Sequence, residues 1–181
     1  GIDENTPDPE MGVIQRDENG EANGLLFEFA INLVRDVMPI STDIEADVAM
    51  QIAMKQLHEL GITSVHDFRI MGGDGGAPAL RTFQRLRDQN LLKLRALVML
   101  PGEFVEETAK TGLQSGFGDD FLRIGGIKLF ADGALGPRTA WMLESFENTN
   151  ETGMPLTPMS EMAEKIAIAE KAGIGTAIHA M

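Results

Sequence analysis

The chain has no cysteine. That absence removes disulfide frameworks, thiolate metal sites and cysteine nucleophiles together, so any metal must be held by histidine, carboxylate or a modified lysine. Positive charge is also scarce: 15 Lys and Arg stand against 28 Asp and Glu, for a net charge of -13. Such a chain repels nucleic acid phosphates and offers no basic patch to an anionic membrane, so neither nucleic acid nor membrane is expected as a partner. No apolar run is long enough to span a bilayer, and the opening GIDENTPDPE lacks the charged, apolar and small-residue regions of a signal peptide. A cytoplasmic location is the resulting expectation. Gly-Lys-Ser/Thr and GxGxxG are absent too, which leaves MGGDGGAP at 71–78 as a loop over a sheet edge rather than a phosphate cradle.

What is present can fill a core. At 181 residues and 43% hydrophobic, the chain suits one ordinary domain or part of a larger one. Its acid is uneven: residues 1–50 hold 12 Asp and Glu against Arg16 and Arg35, whereas residues 51–181 hold 16 against 13 basic residues. Residues 1–40 therefore read as a separate turn-rich segment with short hairpin elements, Asn19-Gly20 and Asn23-Gly24 being its turn signals. From Ser41 the pattern becomes helical. Thr42 and Glu45 form a capping box, and Ala46, Ala49, Ile52, Ala53, Leu57 and Leu60 recur at helical spacing until Gly61.

Strand and helix then alternate: ITSVHDF, a helix from Pro78, LKLRALVML, the short helix EFVEETAKTGL, LRIGGIKLFAD, a helix opened by Pro158, and IGTAIHA. That order implies parallel strands with right-handed crossovers, as in a doubly wound sheet or part of a TIM barrel. The connections that leave strands are the long, glycine-rich ones, so function belongs at the strand C-termini, where His66, Lys128 and His179 fall. His66 and Asp67 there read either as pocket lining or as a structural hydrogen bond, while His58 sits on a polar helix face.

Lys128 is the one cation of the apolar run GIKLFADGALG, and burying an ammonium is costly unless it is paired, neutralised or chemically altered. Alternation sets it on one face with Gly126 and Ile124, and sets His179 on one face with Gly175 and Ala177, small residues that leave room beneath each functional group. Spacing leaves Lys128 as an ion-pair partner of Asp132 or as a working group. Arg138, in the next loop, can bind a substrate carboxylate or close an ion pair with Asp132 or Glu144.

Four blocks decide more when taken together. TPDPEMGVIQRDENGEANGLLFE, ELGITSVHDF, GGIKLFADGALGPRTAWM and GIGTAIHAM, in this order across nearly the whole chain, resemble amidohydrolase family 3, metal-dependent hydrolases among which some members are labelled exoenzyme regulatory proteins. The resemblance implies a (β/α)8 barrel with a small β-rich domain. It makes this chain α/β, a partial TIM barrel of strands two to five, with residues 1–40 inserted between strands one and two and residues 41–181 forming the partial barrel. It also implies that Lys128, carboxylated to a carbamate, and His179 are metal ligands, that the cofactor is a divalent metal, zinc being the expected ion, and that Asp132 and Arg138 are candidates for substrate contact. A metal-bound hydroxide would hydrolyse an amide or other non-peptide C–N bond of a small-molecule substrate. The family's His-x-His, its strand-six histidine and its strand-eight aspartate have no counterpart here, so the chain is expected to be an internal fragment, to lack a catalytic residue and activity of its own, and to self-associate through uncovered strand edges. The alternative is a non-catalytic regulatory or binding protein on the same scaffold.

Overall fold

The first hairpin carries an irregularity that glycine makes possible. In the computed structural model, which describes residues 1–10, 12–39, 41–68 and 77–181, strands β1 (Gly12–Arg16) and β2 (Ala22–Glu28) pair antiparallel. Asn19-Gly20 lies in their connection. Asn23-Gly24, predicted as a second turn, instead falls inside β2: Ile14 pairs with Leu26 but Arg16 with Ala22, so the register slips, and Gly24 takes φ +94°. A bulge of this kind uses the same left-handed backbone as a turn, which is why the dipeptide signals both. A short helix, α1 (Asn32–Arg35), follows. Residues Gly1–Pro39, Phe130–Pro158 and Ala180–Met181 form one compact unit, and Ile40–Leu129 with Met159–His179 form the other.

The second unit alternates helix and strand: α2 (Asp43–Glu59), β3 (Ser64–Asp67), α3 (Ala77–Asp88), β4 (Arg95–Pro101), α4 (Val105–Lys110), β5 (Leu122–Phe130), α5 (Met159–Ala172) and β6 (Thr176–His179). The capping box at α2 is present as the sequence implies: Thr42 Oγ1 accepts the Glu45 N–H at 3.2 Å, and Glu45 Oε2 accepts the Thr42 N–H at 2.8 Å. Sheet order is β3-β4-β5-β6, parallel through β3, β4 and β5, and the sheet curls as half of a barrel. No helix among the described residues is long and apolar enough to cross a membrane. The glycine-rich stretch read as a loop from Met71 lies, through Gly76, outside the described residues.

One face of this sheet is the core. Ala96, Val98, Leu122 and Ile124 pack with Met54 of α2 and with Phe83 and Leu86 of α3, and Leu86 and Val98 are wholly buried. Each such aliphatic side chain contributes roughly 1.5–3 kcal/mol by leaving water. The predicted face of α2 is partly corrected: Met54 is its buried residue and Met50 and Leu57 pack beside it, whereas Ile52 and Leu60 are exposed at 55% and 75%. Ile44 and Val48 are exposed in line with Ile52, so α2 carries an apolar stripe at i, i+4 and i+8 away from its core side. Arg85 of α3 clips the two helices together, reaching Asp47 at 2.7 Å and Asp43 at 3.1 Å.

β5 does not alternate regularly. Its register against β4 slips at Gly125-Gly126, so that Val98 pairs with Ile124 but Met99 with Gly126. An extra residue reverses which face later side chains use. The expectation that Lys128 shares a face with Ile124 is corrected accordingly: Ile124 lies in the helix-side core, while Lys128 reaches the ring of Phe68 at the end of β3. The bulge also lets β6 come close. A Cβ on Gly126 would collide with the carbonyl oxygen of Gly175, which accepts the Ile127 N–H at 2.8 Å. Gly175 is small because two backbones meet there.

Asp119 anchors the start of β5. Its carboxylate accepts N–H bonds from Phe121 and Leu122 at 2.9 and 3.0 Å and pairs with Arg87 of α3 at 2.6 Å. The two main-chain N–H groups first, and then the Arg87 guanidinium, draw its pKa from 3.8 down to about 2. A depressed carboxylate pKa contributes stability that is full above the unfolded value and is lost as pH falls through the folded one. Urea unfolding should therefore show a loss of stability between about pH 4 and pH 2 that Asp119→Asn removes; an unchanged pH profile in that variant would contradict the anchoring role.

Candidate functional site

The C-terminal ends of adjacent strands carry the two groups that the family resemblance assigned to a metal. Lys128 lies near the end of β5 and His179 at the end of β6, β5 and β6 are neighbours in the sheet, and both residues are half-buried. The Lys128 ammonium stands 5.6 Å from the centroid of the Phe68 ring, and Phe68 meets His66 edge-on at 6.0 Å. Burial pushes the Lys128 pKa below the ordinary lysine range. The ring acts in the opposite sense, because an aromatic face attracts the charged form, but the effect is small beside solvent. Desolvation thus favours a neutral amine, the form of lysine that reacts as a nucleophile.

His66 lines a cavity of about 490 Å³ with Ser64, Arg95, Asp120 and Arg123, which lie at or beside the starts of β3, β4 and β5, away from the C-terminal edge that carries Lys128 and His179. The donors at this edge are of the right kind for a divalent metal, an imidazole and a lysine able to become an anionic carbamate. The shell is not complete: no group of three His, Asp or Glu able to hold an ion occurs among the described residues.

Asp132 and Arg138 belong to the other unit. Asp132 is buried, 3% exposed, and its two oxygens serve the main chain: Oδ2 accepts the Trp141 N–H at 2.9 Å and Oδ1 the Met181 N–H at 3.2 Å. Thr139, also buried, donates its hydroxyl hydrogen to the Glu28 carboxylate and accepts the Ala134 N–H at 2.9 Å. These two anchors close the 132–141 loop. Between them Arg138 is exposed and holds φ +59°. The ion pair expected with Asp132 or Glu144 is corrected, since Arg138 has no ion-pair partner among the described residues and the Asp132 carboxylate is taken by main-chain donors. Arg138 lines instead an open cleft of about 710 Å³. No pattern of residues pointed to Glu28, which lies far from Thr139 along the chain.

The sequence profile of the amidohydrolase family matches residues 1–181. The chain belongs to the amidohydrolase family. It is 31% identical over its whole length to YtcJ of Bacillus subtilis (strain 168), named as a candidate amidohydrolase, of which it covers 34%. Over 99% of its length it is 27% identical to the exoenzymes regulatory protein AepA of Pectobacterium carotovorum, covering 39% of that protein. It is 30% identical, over its full length, to the protein LONG AFTER FAR-RED 3 of Arabidopsis thaliana, covering 32%. The chain therefore spans 32–39% of the length of these relatives. Among solved structures it matches an uncharacterized metal-dependent hydrolase of Pyrococcus furiosus with a TM-score of 0.74 and 27% identity, covering 98% of this chain and 36% of that one. A second such structure, from Pyrococcus horikoshii OT3, matches in fold with a TM-score of 0.71 at 24% identity, over 92% of this chain and 33% of the other.

Removing the Asp132 carboxylate leaves two main-chain N–H groups without an acceptor, which costs about 1–3 kcal/mol for each buried donor. Asp132→Ala is expected to speed hydrogen exchange at the Trp141 amide by ~10-fold or more while exchange in α3 stays unchanged. Equal protection at Trp141 in both proteins would show that the carboxylate does not hold the loop.

Proposed function

We propose that this chain is the middle part of a metal-dependent hydrolase acting on an amide or other non-peptide C–N bond of a small molecule. In this reading it supplies strands two to five of a (β/α)8 barrel, with residues 1–40 inserted after strand one and residues 41–181 forming the partial barrel. The observation that carries the proposal is Lys128: a desolvated lysine beside the histidine-bearing strand, in a chain whose family and solved relatives include metal-dependent hydrolases. Its amine adds to carbon dioxide, forming a C–N bond and losing a proton, and the resulting carbamate is an anion able to bridge cations. His179 supplies an imidazole nitrogen on the neighbouring strand. A divalent cation, zinc by ligand type, would polarise the scissile carbonyl and lower the pKa of water at neutral pH when bound. Phe68 covers the Lys128 side chain on the sheet's open face, and Arg138 is the residue proposed to meet the substrate, with Asp132 ordering its loop. The remaining ligands would come from the rest of the parent.

The exposed stripe Ile44, Val48 and Ile52 and the edge strands β3 and β6 fit that reading, since a half barrel leaves such surfaces for further strands and helices, or for a second copy, to cover. A second reading, a non-catalytic regulatory or binding protein on the same scaffold, is favoured by the name of one relative, an exoenzymes regulatory protein. Metal analysis of the intact parent separates the two. Lys128→Ala there should remove bound metal and abolish turnover of a panel of N-acyl amides, whereas the isolated 181-residue chain with added zinc should show none. Normal metal content and rate in the Lys128→Ala parent would make Lys128 a structural residue only.

A further inference from the structure

We infer that the first unit carries a binding cleft for a small carboxylic acid with an apolar body, Arg138 being the group that holds the carboxylate. The cleft, about 710 Å³, lies wholly within one unit, between the β1/β2 hairpin, residues 136–139 and residues 150–154. A volume of that order suits a small organic ligand. Its apolar surface comes from Val13, Phe27, Pro137 and Met154, none of which is fully buried.

Charge selects the ligand's other end. Arg16, Arg35 and Arg138 are the only basic residues of a unit rich in Asp and Glu. Arg16 is spent on main-chain carbonyls of Asp3, Thr6 and Gly20. Arg138 faces the cleft with no ion-pair partner among the described residues, although carboxylates are plentiful around it. Its backbone is also held in the left-handed region, at φ +59°, by a loop closed at Asp132 and at Thr139. Backbone strain of this sort persists where the surroundings over-determine it, and it clusters at ligand sites. Gly153, at φ +73°, lets the opposite wall come close, because a Cβ there would strike the Ala140 carbonyl oxygen. A planar guanidinium on a fixed loop beside an apolar wall is complementary to a planar carboxylate joined to a hydrocarbon group, since two parallel N–H bonds can meet its two oxygens. Among the described residues no lysine and no second arginine lines the cleft and one carboxylate, Glu151, does, which argues against a phosphate group of higher charge.

The inference rests on Arg138 meeting the substrate but not on hydrolysis, so binding is measured directly. Benzoate, benzamide and inorganic phosphate are titrated into the 181-residue chain and into Arg138→Gln and Arg138→Lys, with amide chemical shifts of residues 136–139 and 150–154 as the readout. Benzoate is expected to bind saturably at the cleft, benzamide and phosphate at least ~10-fold more weakly, and Arg138→Gln to lose ~10-fold or more in benzoate affinity. Arg138→Lys should recover part of that loss, since charge remains while the planar fork does not. Equal binding of benzoate and benzamide, an Arg138→Gln variant as good as the original, or no saturable shift with any probe would each overturn the inference. None of these outcomes bears on whether the parent hydrolyses amides, which is read from metal content and turnover.

Discussion

The meeting of two backbones, Gly126 on β5 and Gly175 at the start of β6, is the contact on which the candidate metal edge depends. No side chain fits between them, and the Gly175 oxygen accepts the Ile127 N–H. Ser115 stitches the same place, donating to the Gly125 oxygen and accepting the Gly175 N–H, each at 2.7 Å. With the strands so joined, Lys128 and His179 stand at the ends of neighbouring strands. The bulge that makes the approach possible also turns Lys128 away from the helix-side core. Strand bulges re-aim side chains, and here the re-aimed group is the strand's only basic residue after the bulge.

Two different solutions to buried charge operate in the chain. Lys128 is half-buried, under an aromatic ring, and burial shifts it toward the neutral state. Asp132 is almost fully buried and keeps its oxygens occupied with main-chain donors. The first arrangement favours the uncharged form of its group; the second spends a charged group on fixing a loop. That division explains why two residues four apart in one motif have unlike tasks, and why Arg138 is left to face the cleft.

Much of the fold was legible from periodicity and caps. The α2 capping box and the alternation of strand and helix both followed from residue order, because they rest on local geometry. The face of α2 was read less well: Ile52 and Leu60 fit the helical pattern, yet only packing decides which of two apolar stripes meets the core, and Met54 does so. The bulge at Gly125-Gly126 was hidden because a pair of glycines is equally consistent with a regular strand leaving space for a side chain, and one inserted residue reverses the assignment of Ile124 and Lys128. At the site, residue order placed Lys128 and His179 at strand ends and only the family resemblance suggested a metal there, while the Glu28–Thr139 tie could not be foreseen, since it joins distant segments through ordinary residues.

The central claim is that Lys128 and His179 share a metal in the complete protein. Anomalous diffraction from crystals of the intact parent, collected on both sides of the zinc absorption edge, tests it most directly. The account predicts a peak about 2.1 Å from an imidazole nitrogen of His179 and a similar distance from a carbamate oxygen on Lys128. A metal bound elsewhere, with Lys128 present as a plain amine, would contradict it.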